Sequence, residues 1–146
     1  MTVDVDGAVY SAETIVQQSV DIDTISYSYY TGDSFFRPGY RFNVAFKDPP
    51  GKKNYYRIRV SKNGFLFVRQ ADLVVFDDTD LDGRLITVRL HNQYYLKKGA
   101  FVVIELLAID RQAWEYFTSL NDILNAGPGS PAPANPVSSF SNGAMG

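Results

Sequence analysis

The chain has 146 residues, enough for one domain with a substantial apolar core and no need of metal or disulfide staples. It contains no cysteine, which excludes disulfide frameworks, thiolate metal sites and thiol catalysis. Fourteen basic residues stand against sixteen acidic ones without long blocks of either sign, so composition gives no electrostatic reason to expect nucleic acid or an anionic membrane as partner.

Residues 3–11 alternate Val3 and Val5 with polar neighbours, turn at Asp6-Gly7 and resume with Val9 and Tyr10, a hairpin signal. A second alternating run, 20–30, begins with Val20, Ile22 and Thr24 on one face and reads as a strand. The cleanest period of two is 40–47, where Tyr40, Phe42, Val44 and Phe46 share one face and Arg41, Asn43 and Lys47 the other. A loop with Pro49, Pro50 and Gly51 leads into 54–62, whose Tyr56, Ile58 and Val60 alternate with Tyr55, Arg57 and Arg59, and the two runs are expected to pair as antiparallel neighbours. Asn63-Gly64 is the strongest short turn signal and leads into a strand over 65–70.

After a polar interval, 85–91 and 99–110 read as strands, the second buried on both faces and far short of the roughly 20 apolar residues a membrane-spanning helix needs. Only 111–126 prefers helix: Trp114, Phe117, Leu120 and Leu124 recur at three to four residues, with Asp110 placed as N-cap and Gly127 as the stop. In 127–146, Pro128, Pro131, Pro133 and Pro136 forbid regular pairing. That tail is either a passive end or, as expected here, an extended segment whose Phe140 and prolines cover a sheet edge. The sum is a mainly β chain of about seven strands with one C-terminal helix at an end or edge and an irregular Pro-rich tail. It predicts an antiparallel β-sandwich of immunoglobulin or fibronectin-III type, with a small barrel as the alternative.

Few residues suggest chemistry. Asp78, Asp80, Asp82 and Gly83 match the first half of an oxygen-ligand calcium loop, yet Arg89 stands where a bidentate Glu is required, so a solvated turn is the competing reading. His91 is the single histidine, which leaves no multi-histidine metal site and makes an ordinary strand histidine the expected role. Glu105 and Glu115 are the acids a hydrolytic pair would have to use, although an ion pair of Glu105 with Arg57 or Arg59 explains that residue equally well. No phosphate-cradling loop or nucleophile elbow occurs. No enzymatic activity is expected.

Aromatics are abundant, with ten Tyr and ten Phe, and doublets such as Tyr29-Tyr30, Tyr55-Tyr56 and Tyr94-Tyr95 must put one ring on each face of a strand. Outward rings suit ligand or protein contact. The residues singled out for binding are Phe35, Phe36 and Arg37 in the loop 31–38, with Tyr55 and Tyr94. The competing reading is cross-strand pairing or cover by the helix and tail.

The segments Tyr10-Ser11-Ala12-Glu13-Thr14, Val20-Asp21-Ile22-Asp23, Phe46-Lys47-Asp48-Pro49-Pro50-Gly51, Asn54-Tyr55-Tyr56-Arg57, Leu81-Asp82-Gly83 and Pro131-Ala132-Pro133-Ala134-Asn135-Pro136 resemble the Bacteroidota lipoprotein family called domain of unknown function 4249. The resemblance implies an exported, lipid-anchored outer-membrane protein with an accessory role beside TonB-dependent transporters in nutrient capture. A purely structural protein–protein interaction domain is the alternative. It implies contact with a transporter or other surface protein, with a membrane met only through a lipid anchor that this sequence does not show. It carries over no catalytic residue and no cofactor. No export signal is visible at the start, and the family pattern continues past Gly146, so the expectation is an excised C-terminal portion. Residues 1–15 would then be a hairpin left from a preceding domain, 16–126 the sandwich with its helix, and 127–146 the tail.

Overall fold

Strict alternation of apolar and polar residues builds most of this molecule, and two glycine turns set its registers. The computed structural model describes residues 2–11, 13–35, 37–68, 72–90 and 96–126. The expected tail 127–146, and with it Phe140 and the Gly127 stop, lies outside the described residues, as do Phe36, His91, Tyr94 and Tyr95. In chain order the elements are β1 Thr2–Val5, β2 Ala8–Ser11, β3 Thr24–Tyr30, β4 Gly39–Lys47, β5 Tyr55–Lys62, β6 Phe65–Leu66, β7 Val74–Asp77, β8 Leu85–Leu90, β9 Val102–Ile109 and α1 Arg111–Asn125.

Both predicted turns close two-residue hairpins. Asp6 and Gly7 have φ of 52° and 81°, and Asn63 and Gly64 have 51° and 84°, the positive pair that matches the twist of adjoining antiparallel strands. Val5 accordingly faces Ala8, and Lys62 faces Phe65. The β1–β2 hairpin is a two-stranded sheet by itself with Val3, Val5 and Val9 exposed.

The remaining strands form two antiparallel sheets. One runs β3-β4-β8. In the other, β5 pairs with β9 along its whole length on one side, and on its other side with β7 over Tyr55–Ile58 and β6 over Ser61–Lys62. The expectation that 40–47 and 54–62 are hydrogen-bonded neighbours is overturned: β4 pairs with β3 and β8, and β5 lies in the other sheet. The physical reason is the connection. Pro49 and Pro50 offer no amide donors to a ladder, and the loop is fastened to a turn across the sandwich, so the chain crosses between layers instead of folding back in one.

Core residues come from the inward faces of both sheets. Val44, Leu90 and Leu96 pack with Ile58 and Val60, and a second cluster joins Phe46 and Ile86 to Tyr56, with the Phe46 and Tyr56 rings 4.9 Å apart. Among the described residues this is a mainly β, two-layer antiparallel architecture with one helix, and no described strand pairing closes the two sheets into a barrel.

The helix lies on a face of the second sheet, where an end or edge position was expected. Trp114 packs on Tyr55 with ring centroids 5.2 Å apart, and the Arg57 guanidinium sits 4.0 Å from the centroid of Phe117. Tyr55 and Arg57 point away from the core because Tyr56 and Ile58 point into it. Asp110 caps the helix as its spacing predicts, its carboxylate accepting from the Ala113 amide at 2.7 Å and also from the Thr14 hydroxyl. Strand β9 is half-buried along most of its length, with Val103 exposed, so the expectation of burial on both faces is met only in part. The reason is that α1 packs over β5 and β7. Strand β7 escaped prediction because its Val74-Val75-Phe76 run is short and hemmed by Asp72, Asp77 and Asp78. Strand β3 starts at Thr24, while Val20 and Ile22 reach the core from extended chain before it.

Candidate functional site

At one end of the sandwich the loop after β4 and the turn before β8 are tied together by buried carboxylates. Asp48 is buried at the end of β4. Its Oδ1 accepts from the Tyr56 hydroxyl and from Asn54 Nδ2 at 3.3 Å, and its Oδ2 accepts from the Gly83 amide at 2.9 Å. Asp78, equally buried, accepts from the Asn54 amide at 3.0 Å and holds the Lys53 ammonium at 3.0 Å. Asp82 accepts from the Gly51 amide at 2.8 Å. The same Lys53 lies 3.2 Å from Asp77 and donates to Thr79. Gly83 is required here for two reasons: its φ is 68°, and a Cβ would stand 2.9 Å from the Pro50 Cβ.

Protonation follows from this arrangement. Burial, then the hydrogen bond to Asp48 and the charges of Asp48 and Asp78, push the Tyr56 phenol well above its ordinary range. For Asp77, burial acts upward but is outweighed by hydrogen bonds from Thr79 and by Lys53, so its carboxyl sits below its ordinary value. Lys53 is the mirror case: desolvation acts downward, and its bonds to Asp78 and Asp77 carry it above the ordinary lysine value.

Of the predicted calcium ligands, the structure brings Asp78 and Asp82 together and adds Asp48, with carboxylate oxygens of all three within 4.8 Å of one another. Asp80 is not in this group; it occupies an exposed turn position with φ of 63°. The trio's oxygens already accept from Tyr56, Asn54, Gly51 and Gly83, and the cation beside it is Lys53. A divalent ion there would compete with that ammonium. Sequence reasoning missed Asp48, Lys53 and Asn54. The available signal was an acid ending a perfectly alternating strand immediately before Pro-Pro-Gly.

A second region lies on the β3–β4 hairpin. Register sets Tyr27 opposite Phe42 and Tyr29 opposite Tyr40, on the same side of the sheet as the core residue Val44. Yet Tyr27 is 69% and Tyr29 58% exposed. The Tyr40 ring lies 5.8 Å from Tyr27 and 5.2 Å from Tyr29, and Tyr27 lies 6.1 Å from Phe42, giving a continuous ladder of four rings. On the opposite face, the Arg41 guanidinium stacks 3.4 Å from the Tyr30 centroid.

The loop 31–38 beyond this hairpin contains Phe35, which is 89% exposed, and frames a depression of about 530 Å³ with Arg37, Pro38, Asp33 and Ser34. Asp33 stiffens the loop by accepting from the Phe35 amide at 2.8 Å and from the Tyr30 hydroxyl, a bond that raises the Tyr30 phenol above its usual value. Phe35 and Arg37 are thus together, whereas Tyr55 lies in the other sheet beneath Trp114. Glu105 pairs with Arg59 at 3.6 Å and Glu115 with Arg111 at 2.7 Å, both as partly exposed ion pairs.

The fold and these sites define a helix-backed β-sandwich domain with one stapled end and a bare aromatic hairpin. Residues 2–142 match the family model described as Domain of unknown function (DUF4249), and the chain belongs to that family. No curated protein and no solved structure matches it. Three segments that carried the resemblance in the sequence, around Asp48-Pro49-Pro50-Gly51, Asn54-Tyr55-Tyr56 and Leu81-Asp82-Gly83, converge on the carboxylate staple.

Proposed function

We propose that this domain is a non-enzymatic binding or accessory module of an exported Bacteroidota outer-membrane lipoprotein, working beside a TonB-dependent transporter in nutrient capture. The observation that supports it is the ladder Tyr27–Tyr40–Tyr29 with Phe42, in which the Tyr27 and Tyr29 rings stay exposed on the core side of the sheet while Tyr40 and Phe42 pack against the core. Such a face is broad and aromatic, the chemistry of a protein contact. The depression beside Phe35 and Arg37 continues it with a cation and a ring suited to a peptide or ligand edge. The alternative, a structural interaction domain with no small-molecule ligand, draws on the same ladder, since that surface is a strand face and not a concavity. Neither reading needs a cofactor.

The test is a pull-down from outer-membrane extract of a Bacteroidota cell, with wild type and with Tyr27→Ala/Tyr29→Ala, each with and without calcium. Recovery of a transporter by wild type and its loss in the variant is the expected result. Equal recovery by both removes the ladder from the reading, and recovery that requires calcium moves attention to Asp78 and Asp82.

A further inference from the structure

Folding sorts charges and rings that are scattered in the sequence. The backbone bond from the Tyr40 amide to the Leu96 carbonyl, 3.1 Å, fixes the start of β4 beside the 96–101 segment. That segment is fixed in turn to the β5–β6 turn, with the Asn63 amide donating to the Phe101 carbonyl at 2.8 Å and the Phe101 amide donating to Asn63 Oδ1 at 3.0 Å. The Asn63-Gly64 turn, the Lys97-Lys98-Gly99 turn and the loop 31–38 therefore open at one end of the sandwich, and the carboxylate staple closes the other.

At this open end Phe65 is 80% and Phe101 69% exposed, and Val68 and Leu66 are exposed beside them. A cleft of about 260 Å³ lined by Lys62, Asn63, Phe65, Leu66 and Phe67 lies behind the turn. Among the described residues, Arg37, Lys62, Lys97 and Lys98 stand at this end against Asp33 and the buried Asp72. The opposite end carries Asp21, Asp23, Asp48, Asp77, Asp78, Asp80, Asp82 and Asp110 against Lys47, Lys52, Lys53, Arg84 and Arg111. A chain of net charge −2 thus presents a positive end that also displays its protruding rings.

We propose that this end docks on an anionic bilayer surface, with Phe65 and Phe101 entering the headgroup–acyl boundary and Lys62, Lys97 and Lys98 meeting lipid phosphates. Two features favour a bilayer over a protein partner. The exposed rings follow two turns that the Asn63–Phe101 bonds tie to each other, and insertion into lipid needs no shape-matched partner. The lysines flank the rings on the same turns, where attraction to anionic headgroups adds to burial of the apolar tips. This goes beyond the ladder-based reading and shares none of its test residues.

The test is co-sedimentation of the whole chain with vesicles of phosphatidylglycerol and phosphatidylcholine in equal parts, and with phosphatidylcholine alone. The wild type is expected to sediment with the anionic vesicles and to be released by high salt. Lys97→Gln/Lys98→Gln should weaken partitioning about 30-fold, and Phe65→Ser/Phe101→Ser about tenfold or more. Unchanged thermal melting in both variants would show that the fold persists. In Phe65→Trp, emission should shift to the blue and be quenched by brominated lipid. Absence of binding to anionic vesicles, or equal binding by the variants, overturns the proposal. So does self-association of the wild type in analytical ultracentrifugation that Phe65→Ser disperses, since that outcome assigns the rings to a second copy of the chain.

Discussion

The two ends of the sandwich are built on opposite rules. At the staple end, Asp48 and Asp78 are buried, Asp48 and Asp78 Oδ2 accept hydrogen bonds from Tyr56, Asn54 and Gly83, and Asp78 Oδ1 is met by the Lys53 ammonium. At the open end, Phe65, Phe101 and Phe35 stand in solvent on turns whose backbones are fixed. Burying polar groups is tolerable only when they are fully bonded, and exposing large rings costs nothing the fold must recover elsewhere. Polarity inside therefore marks what holds the domain together, and apolarity outside marks what the domain offers to others.

The sharpest way to break this contrast is Asp48→Ala, which strands the Tyr56 hydroxyl and the Gly83 amide in a buried site. A loss of about 3 kcal/mol or more is expected in urea unfolding, and a loss under about 1 kcal/mol would mean the staple is not structural. Gly83→Ala comes next, because it forces a side chain into positive φ and onto Pro50. It should cost about 1–3 kcal/mol, read as a lowered melting temperature.

Tyr56→Phe should cost about 1–2 kcal/mol and also change the alkaline limb. The folded phenol titrates above its unfolded value of about 10. Its contribution is therefore complete below that pH and is lost as pH rises further. Melting temperature against pH should decline less steeply above about pH 10 in Tyr56→Phe than in wild type. Asp77 runs the other way: its folded pKa is depressed, so its contribution is present above the unfolded value of about 4 and disappears as pH falls through the folded one.

Lys53→Met leaves Asp78 without its counter-charge. Calcium added to that variant should raise the melting temperature, while wild type should shift little, because its ammonium already holds Asp78, one of the three carboxylates an ion would need. A large shift in wild type would restore the calcium reading. The smallest effect belongs to the open end: Phe65→Ser and Phe35→Ser should each change stability by less than about 0.5 kcal/mol. A larger loss for either would mean that its ring is packed and not offered.

Much of the fold was legible where a local rule acts alone. Asp6-Gly7 and Asn63-Gly64 announced their hairpins because positive φ at both turn positions is a property of those residues. Asp110 announced the helix because its carboxylate serves an amide three residues on. The alternation over 40–47 marked which side chains face inward. It did not mark which strand lies beside β4, since inward-facing residues look the same whether the next strand is a neighbour in the sheet or a partner across the core. Phe35 and Arg37 were placed together by being two residues apart, while Tyr55 faces outward as its alternation predicts and is covered by a helix that arrives some sixty residues later, the competing reading the sequence offered.

The sequence by itself determined the β class, the position of the helix in the chain, the two tight turns and the inward faces of β4 and β5, because these depend on contacts between residues near one another. Only the tertiary structure decided that Asp48, and not Asp80, joins Asp78 and Asp82, that Tyr27 and Tyr29 share the core side of a sheet yet stay exposed, and that Phe65 and Phe101, far apart in sequence, are displayed at one end. Each of these depends on residues tens of positions apart, and their meeting is set by how two sheets stack, which period and composition do not encode.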